Sequence, residues 1–373
     1  MRALIPFRAV YDNRFAQAAA IVRATGRPVI GYVDAGFPEE VALAAGFVPM
    51  LLCADPAQEF VATNGRLDLG TPHRVAAIIE GVLTGKYAGL DRLCITNGDR
   101  FLANIYGILE AEGAANGKPV LPHLMFMDRT RGSYAEHWLY NRAAIEKLGM
   151  TLGSATGRRV DAHSLRAAIV QVNAVRRLIA DLQAVNRAAP TVLSGADLAM
   201  VQLCARLMPK EDFISAANAL LDDLKDTTGG HPRRAFLCGS AVDHMALAQA
   251  IEAAGFAITG DATSLTGRYA ADIPREDIGE IDALADQQTH GFPEPWAFGR
   301  DHRIARILAA FDASGATEAI YLHLREDSAA GWDYPDLADA LRARGVTLRY
   351  LRDFSDVHHD VAELTDKLKD ALQ

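Results

Sequence analysis

Short apolar runs rich in Val, Ile and Leu alternate along the chain with longer segments in which apolar residues recur at helical spacing. This alternation is typical of βαβ units and of a mostly parallel sheet. It predicts strands in two sets, which implies two separate sheets. The first set covers 28–33, 48–52, 92–96 and 120–126, and the second covers 235–239, 257–259, 319–324 and 347–351.

Between the two sets, residues 161–225 have helical periodicity alone, with Ser194 placed as an N-cap. The following segment 227–234 contains two glycines and a proline, which favours a helix end and a linker. We therefore predict an α/β protein with two Rossmann-like or flavodoxin-like parallel-sheet domains joined by a helical segment. The predicted divisions are an N-terminal α/β domain at 1–150, a helical connecting region at 151–228 and a C-terminal α/β domain at 229–373.

Composition and charge narrow the function classes. The formal net charge is −9 and no basic stripe is present, so nucleic acid is not an expected partner. The apolar runs fall short of the roughly 20 residues that cross a bilayer, and the N-terminus has no signal-peptide pattern, so a cytoplasmic protein is expected. The four cysteines have no CxxC or zinc-site spacing, which favours buried free thiols and no metal site.

Segments 29–47 and 236–256 share an order: an apolar strand, a Gly-containing turn, an Ala-rich helix and Ala-Ala-Gly-Phe. The order suggests two related halves, although Ala-rich helices in any α/β protein look alike. Ligands of open parallel sheets bind at the carboxyl ends of the strands, so the turns that follow the strands are the places to look for chemistry.

Several polar residues lie in these turns. Asp34 precedes Gly36 and the Pro-Glu-Glu with which a helix starts. This segment is compatible with two interpretations, helix capping and a turn that faces a ligand. Asp99 follows an Asn-Gly turn and suits an N-cap better than a catalytic acid. A cluster of residues with mixed charges ends the strand 319–324. It is either a rim of salt bridges or a functional site whose acids and bases have perturbed pKa values. The catalytic candidates are Asp34, Asp99, His323, Glu326 and Asp327.

The candidates for substrate binding come from the same turns. The segment 261–269 offers hydroxyls and an arginine, which suit a phosphate or carboxylate as well as they suit an ordinary loop. The chain has no GxGxxG after a strand, no phosphate loop and no GxSxG turn, which disfavours ordinary nucleotide binding and serine hydrolysis. The substrate-binding candidates are Gly36, Thr71, Ser240, Asp261 and Arg268.

An ordered set of motifs carries a family resemblance. The motifs are GYVDAGFPEEVALAAGFVPM at 31–50, GKYAGLDRLCITNGD at 85–99, SGADLAMVQLCARLMPKEDF at 194–213, DATSLTGRY at 261–269 and IYLHLREDSAAGWDYPDL at 320–337. Over nearly its whole length the chain resembles the 2-hydroxyacyl-CoA dehydratase and benzoyl-CoA reductase superfamily, as a D-component-like subunit.

The resemblance implies paired related subunits, an acyl-CoA thioester bound between α/β domains, and a [4Fe–4S] cluster held by cysteines and reduced by an ATP-dependent activator. This chain departs from that pattern where the family has cysteine: it has Thr71, Gly98, Glu326 and the pair Thr263-Ser264. Neither Gly nor Thr ligates cluster iron. The resemblance therefore implies the fold and the acyl-CoA crevice, with no cofactor bound by this chain and the cluster placed in a partner subunit.

Three functions are compatible with these residues. The first is a cluster-free subunit that shapes thioester binding in a heterodimer or higher oligomer with a Cys-bearing paralogue, associating through the helical middle and one sheet edge. The second is a cluster-independent acid–base enzyme acting on an acyl-CoA, and the third is a non-catalytic scaffold. If the vacated cluster site persists as a pocket, four residues should converge on one crevice: Asp34, Thr71, Asp99 and Glu326.

Overall fold

A computed structural model describes the chain from residue 1 to 372, apart from 66, 68–70, 99, 118–119, 122, 131, 133, 226, 228, 231–232, 241, 243–244, 264–266, 268, 292–298, 326, 328–329 and 355–360. The α-helices are α1 Ile5–Asp12, α2 Gln17–Thr25, α3 Glu39–Ala44, α4 His73–Leu83, α5 Arg100–Ala115, α6 Ala135–Thr156, α7 Ala162–Ala188, α8 Gly195–Cys204, α9 Lys210–Asp223, α10 Ala246–Ala253, α11 Glu280–His290, α12 Arg300–Ser314, α13 Ala330–Arg342 and α14 Val361–Leu372. A 3₁₀ helix covers Arg2–Leu4.

The strands form two sheets and confirm the two predicted sets. They are β1 Val29–Tyr32, β2 Val48–Leu51, β3 Leu90–Thr96, β4 Leu124–Met127, β5 Arg233–Gly239, β6 Phe256–Asp261, β7 Glu318–Leu324 and β8 Thr347–Phe354. All described strand pairs are parallel, which confirms the predicted α/β class. The order is β2-β1-β3-β4 in the first sheet and β6-β5-β7-β8 in the second. This repeated order supports the prediction of two related halves.

Edge and centre positions in the first sheet follow from the strand sequences. The strand β1 is wholly buried, as an apolar run between two neighbours predicts. Pro49 lies in β2, an edge strand, where a missing backbone N–H is tolerated. The other edge strand, β4, starts later than its predicted segment, and Val120 and Leu121 of that segment line a groove beside α5.

The predicted helical middle is present as α7, α8 and α9. Asp161 and Ser164 form a capping box at the start of α7, and the Ser194 hydroxyl accepts a hydrogen bond from Asp197 N, which confirms the predicted N-cap of α8. These helices share one apolar core with the first sheet, a core that also includes Tyr269 from the second half. The second sheet has separate cores on its two faces. The domain boundaries themselves remain a prediction.

None of the helices in the described part of the chain is both long enough and apolar enough to cross a membrane.

Candidate functional site

Asp34 lies where β1 ends and is almost completely buried, with 5% of its surface exposed. Its Oδ1 accepts a hydrogen bond from Gly36 N at 2.7 Å, which closes a tight turn after the strand. Its Oδ2 accepts a hydrogen bond from the Thr96 hydroxyl at the end of β3. Oδ2 therefore links the ends of two neighbouring strands, while Oδ1 holds the turn after β1. The catalytic role of Asp34 remains a prediction.

Gly98 lies directly against this carboxylate. A Cβ atom placed on Gly98 would be 1.9 Å from Asp34 Oδ2 and 3.0 Å from Leu102 Cδ1. Carbon and oxygen atoms do not approach so closely without a bond, so residue 98 accepts no side chain unless Asp34 moves. Asp34 and Gly98 are thus complementary across the sheet edge.

Arg129 brings the turn after β4 to the same edge. Its guanidinium lies over Gly36, where an added Cβ would be 2.3 Å from the guanidinium carbon. Asn97 fixes the Arg129 backbone in both directions: its Oδ1 accepts from Arg129 N at 3.1 Å and its Nδ2 donates to Arg129 O at 2.9 Å. Sequence reasoning missed Arg129, although the Asp-Arg-Thr-Arg run after a predicted strand was a signal that could have found it.

The segment before α4 reaches the same region. The Arg74 guanidinium donates a hydrogen bond to Val33 O at 2.6 Å, which ties the first turn of α4 to the end of β1. Thr71 lies half-buried three residues earlier. Asp99 lies outside the described residues, as do Glu326 and Arg268, so the convergence of Asp34, Thr71, Asp99 and Glu326 remains a prediction.

In the second sheet, Ser240 and Asp261 follow β5 and end β6. Ser240 is fully buried; its N donates to Leu322 O at 2.9 Å and its Oγ accepts from Leu324 N at 3.1 Å. Asp261 Oδ1 accepts a hydrogen bond from Thr263 N at 2.6 Å. These contacts fix the turns at the carboxyl ends of the strands, and binding of substrate by either residue remains a prediction.

His323 and Asp327 meet through the backbone. His323 Nδ1 is 2.5 Å from the Tyr350 hydroxyl, and its Nε2 is 3.0 Å from the main-chain oxygen of Asp327. The Asp327 carboxylate instead accepts from Ala330 N at 3.2 Å, at the start of α13. Because both ring nitrogens already have partners in the protein, His323 must break one hydrogen bond before it can accept a substrate proton.

Glu39 is the centre of a buried polar network that sequence reasoning did not predict. It accepts hydrogen bonds from the hydroxyls of Tyr32 and Tyr269, the second at 2.5 Å, and forms an ion pair with Lys210 at 3.0 Å. Arg206 donates to the Tyr32 hydroxyl at 3.1 Å. These five residues come from β1, α3, the α8–α9 turn, α9 and the second half of the chain, so Glu39 joins segments that are far apart in sequence.

The charges around Glu39 control its protonation. Burial alone would raise the pKa of Glu39, but the positive charges of Lys210 and Arg206 and the two tyrosine hydroxyls hold that pKa below its usual value. Burial raises the pKa of Tyr32 and of Tyr269 far above the ordinary tyrosine value, so both remain hydrogen-bond donors.

A second ion pair lies beside this network. Glu40 binds Arg176 of α7 at 2.7 Å, and both side chains are buried. The signal that could have revealed both pairs is the placement of charged residues inside otherwise buried helical segments.

Many unrelated protein families share this α/β architecture, so the fold alone does not identify the family of this chain. A family model described as 2-hydroxyglutaryl-CoA dehydratase, D-component, matches residues 35–359. The chain belongs to this family. The match begins in the turn after β1 and includes β2 to β8 with the helices between them, and it confirms the resemblance inferred from the ordered motifs. No curated protein matches the chain.

The donor set of this D-component family member does not fit a cysteine-bound iron–sulfur cluster. Thr71, Gly98 and Thr263 stand at three positions where the resemblance implies cysteine, and Gly98 has no room for a side chain. The thiols are buried elsewhere: Cys53, Cys94 and Cys204 in the first core and Cys238 in the second half.

The environment of Cys94 also opposes iron binding. Burial and the nearby Asp34 carboxylate raise the pKa of the Cys94 thiol, whereas a cluster ligand must be a thiolate. Among the described residues, no three His, Cys, Asp or Glu side chains lie together in a way that could hold a metal ion.

Proposed function

We propose that this D-component family member is the cluster-free subunit of a two-subunit acyl-CoA dehydratase or aromatic acyl-CoA reductase. In this proposal a paralogue that retains the cysteines holds the [4Fe–4S] cluster, and this chain shapes the thioester site. The observation that carries the proposal is the contact between Asp34 and Gly98, because a carboxylate fills the space that a cysteine side chain at position 98 would need. Family membership supports the acyl-CoA substrate and the partner component.

The strand-end turns would serve binding rather than electron transfer. The turns after β1, β3 and β4 are fixed by Asp34, Thr96, Asn97 and Arg129, which gives a rigid wall. Rigid walls hold a substrate in position at a low entropic cost. The residues proposed to contact the thioester are Gly36, Thr71, Ser240, Asp261 and Arg268.

Iron analysis of the chain with and without its partner tests this division of roles. Both subunits are purified anaerobically, separately and together, and iron and acid-labile sulfide are measured per chain. We expect the cluster only in preparations that contain the Cys-bearing paralogue. Stoichiometric iron and sulfide in this chain alone, after reconstitution with ferrous iron and sulfide, would overturn the proposal.

Thioester binding is tested on the assembled complex with a non-reactive acyl-CoA analogue. Thr71→Val keeps the shape of the side chain and removes its hydroxyl, so it should weaken binding by about tenfold if that hydroxyl bonds the ligand. Thr151→Val, on the exposed face of α6, is the matched control and should bind normally. Glu326→Ala should likewise weaken binding or turnover while the fold is retained. Unchanged affinity in both Thr71→Val and Glu326→Ala would contradict the proposed binding role.

A further inference from the structure

A cavity of about 170 Å³ lies along the open edge of β6, beneath the carboxyl end of α7 and one face of α8. Gly195, Leu198, Ala199 and Gln202 face it from α8 at the spacing of one helical face. The cavity reaches the surface between exposed residues of the second half, Ala271 and Ala313. It is distinct from the strand-end turns of the first sheet.

Two deeply buried polar side chains line this cavity with atoms that lack a partner. Asn186 is 1% exposed; its Nδ2 donates to Leu193 O at 2.8 Å and to Ile258 O at 3.1 Å, but its Oδ1 accepts no hydrogen bond from any described residue. Thr259 is 2% exposed, and its hydroxyl also has no partner among the described residues. Buried polar atoms are rarely left in this state, because each costs about 1–3 kcal/mol.

One residue of each charge lines the same cavity: Arg187, and Asp261 at the end of β6, whose Oδ1 accepts a hydrogen bond from Thr263 N. Arg187 follows Asn186 in the last turn of α7 and is half-buried. Burial lowers the pKa of its guanidinium, and no described carboxylate forms an ion pair with it to oppose that effect. A cation at a helix carboxyl end is favourable by itself, and the guanidinium forms no hydrogen bond with any described residue, so its N–H donors are available to a ligand.

We propose that this cavity binds a small organic anion that also carries a hydrogen-bond donor, a short carboxylate with a hydroxyl or amino group. The carboxylate would bind the Arg187 guanidinium, which presents paired N–H donors to such a group. The hydroxyl or amino group would donate to Asn186 Oδ1 and contact the Thr259 hydroxyl. Leu198, Phe236 and Leu237 line the cavity as well and would contact the carbon atoms of the ligand.

The size of the cavity limits the ligand. The volume of about 170 Å³ is many times the roughly 10–15 Å³ that one water molecule needs by the same measure. A three-carbon substituted carboxylate fits within this space. Asp261, one of the residues proposed to contact the thioester, also lines this cavity, but the present proposal rests on Arg187, Asn186 and Thr259.

Three probes with one carbon skeleton test the recognition chemistry: propionate, lactate and alanine. Each is titrated into the full-length chain and followed by calorimetry and by nuclear magnetic resonance. We expect lactate, alanine or both to bind about tenfold or more tightly than propionate, because only they can donate to Asn186 Oδ1. Lactate and alanine distinguish a hydroxyl donor from an amino donor. Equal binding of all three, or no saturable binding of any, would overturn the proposal and leave a cavity filled by water.

Three variants locate the binding. Arg187→Gln should reduce affinity for the preferred probe by about tenfold or more, as the loss of a charged hydrogen bond predicts. Thr259→Val should reduce the preference over propionate while propionate binding is retained. Arg177→Gln removes the same charge from the same helix, at an exposed pair with Glu276, and should bind normally. Normal binding by Arg187→Gln, or equal losses in Arg187→Gln and Arg177→Gln, would refute the site.

Discussion

Asp34 and Gly98 illustrate how one residue can determine what its neighbour in space must be. The Asp34 carboxylate is held in place by Thr96 and by the backbone of Gly36. Because it cannot rotate away without losing both hydrogen bonds, it excludes any Cβ at residue 98. The glycine at this position, where the resemblance implies cysteine, is therefore matched to the carboxylate.

The contact predicts strong coupling between two substitutions. Gly98→Ala should lower the free energy of unfolding by about 1–3 kcal/mol, since it forces overpacking against Asp34. In an Asp34→Ala background the same change should cost much less. Urea denaturation of the four proteins gives the coupling energy. Gly107→Ala, in α5 with open space around it, is the control and should be neutral or slightly stabilising. Additive costs would show that the two side chains do not compete for space.

Residue roles in the turns were predictable only where the partner is close in sequence. Asp34 was placed correctly at the end of a strand, and Ser194 as an N-cap, because both bond to backbone within three residues. The Asp-Arg-Thr-Arg run could have marked Arg129 as a turn residue, but its place over Gly36 depends on strand order in the sheet. A single sequence contains no local signal for that order.

The helix α3 begins with two acids whose role differs from capping. Glu39 and Glu40 were placed in a first helical turn, where acids suit the helix dipole, and that position is confirmed. Both are also buried and bind cations from α9 and α7. Capping and long-range pairing use the same residue types, so the local pattern could not separate them.

The Glu39–Lys210 pair predicts a pH-dependent contribution to stability. The pKa of Glu39 is lowered in the folded chain, so the carboxylate stabilises the fold above its ordinary pKa, and that stability is lost as the pH falls through the lowered value. Glu39→Gln should lower the free energy of unfolding at pH 7 by about 3–5 kcal/mol, because it leaves Lys210 buried without a counter-charge. It should also flatten the decline in stability below about pH 4.3.

Matched variants separate this effect from general damage. Lys210→Met added to Glu39→Gln should recover part of the lost stability, since no unpaired charge then remains. Glu146→Gln removes an exposed partner of Arg142 and should change stability by less than about 1 kcal/mol. Denaturation midpoints measured between pH 7 and pH 3 give all these values. A Glu39→Gln protein with the acid dependence of the wild type would contradict the assignment.

At the scale of the whole molecule, periodicity predicted the two sheets and the helices between them, but it did not predict how these parts pack. The helical middle shares its core with the first sheet, and Tyr269 enters that core from the second half. Such contacts depend on tertiary packing of residues more than two hundred positions apart. Helical periodicity shows only that one face of a helix is buried. It does not show which element packs against that face.

Tyr269 therefore predicts energetic coupling between the two halves of the chain. Tyr269→Phe retains the ring, which lies 4.9 Å from the Arg206 guanidinium, and removes only the hydroxyl that donates to Glu39. The loss of a hydrogen bond to a buried carboxylate should cost about 1–3 kcal/mol. Because Glu39 belongs to α3, amide hydrogen exchange should accelerate in α3 of the first half as well as around residue 269.

The control for this substitution is Tyr106→Phe, whose hydroxyl has no hydrogen-bond partner among the described residues and whose ring packs on Phe126. It should leave stability and exchange nearly unchanged. If Tyr269→Phe accelerated exchange only near residue 269, the halves would be energetically independent and the hydrogen bond to Glu39 would contribute little to holding them together. If α3 responds, a single hydroxyl couples the turn at residue 269 to the helix that follows β1. The second half then helps to fix the same strand end where Asp34 and Gly98 meet.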